Sequence, residues 1–148
     1  GDAMEARQEM MIASARGAVA FQKGLGLMHG LSHPLSASYD THHGLANGVL
    51  MPYVLSFNSE VVDEPLSRLA RCLKLPNEGP SGVIEWVIEL REAIGIPHTL
   101  AELGVKEDEV GALAAKAVVD PAGFGNPKDY DEEEIAQIYR RAIAGDLK

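Results

Sequence analysis

Apolar positions recur at helical spacing along almost the whole chain. In the last segment Ile135, Ile138, Tyr139, Ala142 and Ile143 form one stripe. Asp131 precedes it with Glu134 three residues on, the signature of a capping box. EDEVGALAAKAVV predicts a second stripe of Val110, Leu113, Ala114, Ala117 and Val118. From about Ser81, Val83, Val87, Leu90 and Ile94 repeat with the same period, ending at Gly95 with Pro97 beyond. Residues 61–74 place Leu66, Leu69, Ala70 and Leu73 on one face ahead of Pro76. LANGVLMPYVLSFN is nearly all apolar, which predicts a helix buried on most sides and bent at Pro52. GLGLMHGLSHPLSA predicts another, with Pro34 at a kink or near its end.

The run from Ala3 to Phe21 is built of strong helix formers without proline. The small residues of IASARGAVA predict that one of its faces packs closely against a neighbour. No segment alternates with period two between hairpin turns. The loop-rich stretches 77–82 and 120–131 do not read as domain boundaries. The expectation is an all-α multi-helix fold, with residues 1–148 as a single helical domain.

Composition narrows the function classes. The chain has 148 residues, 46% hydrophobic, enough for one sizeable core. Its 13 basic and 22 acidic side chains give a formal charge of −9, which argues against a nucleic-acid or anionic-membrane surface. No apolar run approaches the roughly 20 residues of a membrane span, and the charged N-terminus is no signal peptide. The expectation is a soluble cytoplasmic protein. Cys72 is the sole cysteine, so neither an intrachain disulfide nor a thiolate zinc cluster can form. Its setting, RLARCLKL, reads as a small buried hydrophobe on a helical stripe.

The chemistry concentrates in HGLSHPLSASYDTHHG, which holds four of the five histidines. His29 and His33 are one helical turn apart and share a face, the spacing by which two imidazoles meet one metal ion or small ligand. His43 precedes Gly44 at the entry to the next helix, so a site between two helices can collect His29 and His43 with His33 nearby. The same spacing is also compatible with hydrogen-bonded core histidines. Asp40 and Thr41 read as caps of the helix starting near His43, and His42 as a solvent-facing or outer neighbour. Divalent metal sites want three or four protein ligands, and no matched carboxylate accompanies these imidazoles.

The stretch FQKGLGLMHGLSHPLSASYDTHHGLANGVLMPYVLSFN resembles the signature of the iron-containing (group III) alcohol dehydrogenases. The pattern is met by Gly24, Leu25, Gly26, His29, His33, Pro34, Leu35, Tyr39, His43, Gly44 and Asn47. The likeness continues through AIGIPHTLAELGV and DPAGFGNP to the closing helix. It implies the dehydroquinate synthase-like C-terminal helical domain, incomplete at its N-terminal side. It further implies an alcohol or aldehyde substrate, a nicotinamide cofactor, and Fe²⁺, or Zn²⁺ in its place. NAD(P) would bind through an N-terminal α/β domain absent from this sequence, which has no G-x-G-x-x-G after a strand. By resemblance His29 and His43 are two of four metal ligands, the other two being an Asp and a His upstream. Residues 1–28 contain no histidine, so half the metal site is expected to lie outside this chain.

His33 matches the family histidine that relays the alcohol proton. Phe21 and Phe124 are candidates to line the substrate pocket or simply to pack. The leading expectation is therefore the metal-binding part of an NAD(P)-dependent alcohol dehydrogenase, inactive in isolation. The alternative is a stand-alone helical metal-binding or interaction module without redox activity. A truncated domain would also expose apolar surface, and a homodimer through the first helix and GLGLMHGL is expected from it.

Overall fold

The computed structural model describes residues 2–147, and among them it contains seven α-helices and no strand. They are α1 (Met4–Phe21), α2 (Leu27–Tyr39), α3 (His43–Asn58), α4 (Asp63–Leu73), α5 (Pro80–Ala93), α6 (Val110–Ala117) and α7 (Glu132–Ala144). Short 3₁₀ turns at Ala101–Leu103, Glu107–Glu109 and Pro121–Gly125 connect the later helices. The all-α expectation is met.

The main core joins α2, α3, α6 and α7. Leu27, Leu31 and Leu35 of α2 meet Ala46, Val49, Leu50 and Tyr53 of α3, with Leu113, Ala117, Ile135, Ile138 and Tyr139 closing the other side. A smaller cluster of Leu66, Ala70, Val83 and Val87 locks α4 to α5, against Met51 and Leu55 on the far face of α3. α3 is thus shared by both clusters, which explains why its sequence is apolar nearly all round.

Both helical prolines lie inside their helices, Pro34 in α2 and Pro52 in α3. Close to Pro52, the buried Arg91 of α5 donates Nη1 to the Val49 carbonyl at 3.0 Å. Its Nη2 lies 3.0 Å from His98 Nδ1. α7 starts with the full capping box: Asp131 accepts from the Glu134 amide and the Glu134 carboxylate accepts from the Asp131 amide.

Three expectations need correction. α1 buries no residue, so the small face of IASARGAVA packs against nothing among the described residues. Cys72 is exposed. The stripe of α4 runs through Leu66 and Ala70, and Cys72, six residues from Leu66, falls well round the helix from it. Asp40 and Thr41 do not cap α3: Asp40 adopts a left-handed conformation that ends α2, and His42 occupies the N-cap without a side-chain hydrogen bond. Within GLGLMHGL, Leu27 and Leu31 are fully buried, while Leu25 and Met28 are partly exposed.

Candidate metal centre

The N-terminus of α2 sets the position of the first two histidines. No local side chain caps it; instead the Leu27 amide donates to Asn126 Oδ1 at 3.3 Å, from a loop 99 residues away. Asn126 and Asn58 exchange two amide hydrogen bonds of 2.9 and 2.8 Å, which tie that loop to the end of α3. The approach depends on glycine. A Cβ on Gly30 would come within 3.3 Å of Gly123 Cα, and a Cβ on Gly125 would run into the Leu25 carbonyl.

On this frame three imidazoles meet. The ring centroids of His29 and His43 are 5.3 Å apart, those of His33 and His43 5.4 Å, and those of His29 and His33 6.3 Å. His42 is exposed and stays out of this group, with its ring over Gly44. His98, the fifth histidine, serves Arg91 elsewhere.

Each imidazole has a distinct setting. His29 is half-buried, and its pKa is lowered from 6.5 by burial first, then by His43 and His33. Its lone pair is therefore held available for a Lewis acid. Ser32 donates its hydroxyl proton to the His29 carbonyl at 3.1 Å, and its oxygen sits 3.4 Å from His43 Nδ1. Nε2 of His43 lies 3.0 Å from Asn47 Nδ2. Behind His33, Nδ1 lies 2.9 Å from Asp120 Oδ2. At the far end of α2, Tyr39 donates its hydroxyl to Glu109 and accepts from the Lys106 amide, pinning the helix to the turn beneath.

The donor set fits a borderline divalent ion such as Fe²⁺ or Zn²⁺, for which imidazole is a common ligand. It is incomplete: no group of three or more His, Cys, Asp or Glu among the described residues is arranged to hold a metal ion.

An apolar cleft of about 620 Å³ opens beside the imidazoles, and Phe21, Leu25, Met28, His29, Trp86 and Asn126 are among the residues lining it. Phe21 sets its ring edge-on to His29, with centroids 6.3 Å apart. Phe124 is 71% exposed and lines a separate cavity with Val118, Gly123 and Tyr130. Ser32, Asn58, Asp120 and Asn126 were not singled out as site residues by sequence reasoning. The DPAGFGNP loop was visible as a motif, but its partners on α2 and α3 were not.

Comparison with known proteins identifies the family. Residues 1–143 match the profile of the Fe-containing alcohol dehydrogenase family, C-terminal part. The chain belongs to the iron-containing alcohol dehydrogenase family. A 4-hydroxybutyrate dehydrogenase of Cupriavidus necator is 40% identical over 152 residues, covering 97% of this chain and 38% of that protein. Lactaldehyde reductase of Escherichia coli K12 is 35% identical over 145 residues, covering 93% of this chain and 38% of that enzyme. A solved 1,3-propanediol oxidoreductase superposes with a TM-score of 0.76 at 35% identity, over 80% of this chain and 33% of that one. The chain thus spans well under half the length of the relatives it matches. No described helix is long and apolar enough to cross a membrane.

Proposed function

We propose that this chain supplies the helical, metal-binding part of an NAD(P)-dependent alcohol dehydrogenase acting on a small alcohol or aldehyde. The observation that carries the reading is the convergence of His29, His33 and His43 on two helices. His29 and His43 would hold the metal from one side; the remaining ligands and the NAD(P) site would come from polypeptide outside residues 1–148. A bound Fe²⁺ or Zn²⁺ supplies Lewis acidity toward the substrate oxygen, and the nicotinamide supplies the hydride chemistry.

This chain's own residues do the rest. The Ser32 hydroxyl and the Asn47 side-chain amide flank the two ring nitrogens of His43. Burial keeps His29 neutral. His33 takes up or returns the alcohol proton beside them. The apolar cleft next to His29, with Phe21 at its rim, shields the reacting carbon from water.

On this reading the purified chain alone binds a divalent ion weakly and turns over no alcohol with NAD⁺. Isothermal titration with Zn²⁺ is expected to lose its heat in a His29→Ala/His43→Ala variant. Unchanged zinc affinity there would refute the ligand assignment, and turnover of a primary alcohol by the chain alone would sink the claim that it is only part of the catalyst.

A further inference from the structure

Asp120 and His33 are 87 residues apart in sequence, yet Nδ1 and Oδ2 lie at 2.9 Å. The carboxylate divides its two oxygens. Oδ1 accepts the Ala122 amide at 2.8 Å and so caps the 3₁₀ turn Pro121–Gly125, while Oδ2 faces the imidazole. The turn that carries Asp120 is fastened on both sides. Gly123 packs on Gly30 of α2, and Asn126 is held by Asn58 and the Leu27 amide. The Asp120 side chain is 17% exposed against 43% for His33, so the anchored member of the pair is the carboxylate.

An ionised carboxylate only accepts hydrogen bonds, so Nδ1 of His33 must carry the proton. Free neutral imidazole prefers the opposite tautomer, with hydrogen on Nε2. The hydrogen bond on one ring nitrogen decides the state of the other.

We propose that Asp120 is a positioning residue that locks neutral His33 in its Nδ1–H tautomer, so that Nε2 presents a lone pair as the proton acceptor. The use of that lone pair rests on the function proposed above; the tautomer itself is a property of this chain alone. Without the carboxylate, the ring would revert to Nε2–H and offer a donor where the reaction needs an acceptor.

Long-range ¹⁵N–¹H correlation spectra of the labelled chain test this directly, at a mildly alkaline pH where free imidazole is neutral. A His33→Gln variant assigns the signals. The expected spectrum has a pyridine-type Nε2 and a pyrrole-type Nδ1 for His33, and Asp120→Ala is expected to shift both toward the free-imidazole pattern. A pyrrole-type Nε2 in the unsubstituted chain would overturn the proposal, as would an unchanged pyridine-type Nε2 in folded Asp120→Ala. Because Asp120→Ala also removes a cap, circular dichroism accompanies it, and the unsubstituted spectrum decides by itself if that variant does not fold. The sample contains no metal, cofactor or substrate. A failed zinc or alcohol experiment therefore leaves the tautomer result standing, and a wrong tautomer leaves His29 and His43 free to bind metal.

Discussion

α1 and α7 are both helices of good local pedigree, and they meet opposite fates. α7 confines its apolar residues to one stripe, caps itself with Asp131 and Glu134, and buries Ile135, Ile138, Tyr139 and Ala142. α1 is longer and rich in helix formers, yet it has no side-chain cap and leaves Met4, Met10, Met11, Val19 and Phe21 in solvent. Propensity makes both of them helices; only packing makes one of them part of a core. α1 mixes Glu5, Arg7, Glu9 and Arg16 with its apolar residues and separates no apolar face to bury.

The sharpest way to break this comparison is a pair of truncations. Ile135→Ala, at a fully buried site, is expected to cost about 3 kcal/mol in urea unfolding. Met11→Ala, 74% exposed, is expected to change stability by less than about 0.5 kcal/mol. Equal costs would mean that α1 is packed in solution, with a second copy as the available partner, and sedimentation would then show a dimer.

A smaller effect tests how α7 is tied to the histidine helix. The buried Tyr139 hydroxyl donates to the Leu31 carbonyl at 2.7 Å, between His29 and His33 in sequence. Tyr139→Phe is expected to lose about 1 kcal/mol of stability. It should also perturb the ring signals of His29 and His33 in NMR spectra while leaving the α1 amides unmoved. Burial holds the Tyr139 phenol well above its ordinary pKa, so the hydroxyl remains a donor across the working range.

The smallest effect concerns the turn docked on the end of α7, where the Leu100 amide donates to the Ala142 carbonyl at 2.9 Å. The Thr99 hydroxyl and amide and the His98 amide all donate to Glu102, which holds this carboxyl below its ordinary 4.5. A depressed carboxylate stabilises the fold above its unfolded pKa. That contribution is lost as pH falls from about 4.5 through the lower folded value. The His98 and Thr99 amide signals are expected to shift in that window, and Glu102→Gln should abolish the step. A step that survives the substitution would assign it to another group.

Most of the architecture was legible in local sequence, because helix formation and its stop signals are short-range. The stripe of α7, its capping box, the glycine end of α5 and the all-round apolarity of α3 all follow from neighbours within a turn or two. The errors came where a residue's role depends on what lies across from it. Cys72 lies on an amphipathic helix but away from its contact with α5. Asp40 has the chemistry of a cap but was taken up by the left-handed end of α2.

The candidate site divides along the same line. His29, His33 and His43 and the glycines around them belong to one contiguous motif; one-turn periodicity pairs His29 with His33, and the packing of α3 on α2 adds His43. Ser32 is in that motif too, but its contact with His43 exists only because α3 packs on α2. The setting of His33 and the start of α2 depend on Asp120 and Asn126, which reach them across 87 and 99 residues of chain. Periodicity carries no information about such pairs. They exist because α6 and α7 pack their own apolar faces on α2 and α3, and that packing brings the loop between them to the imidazoles.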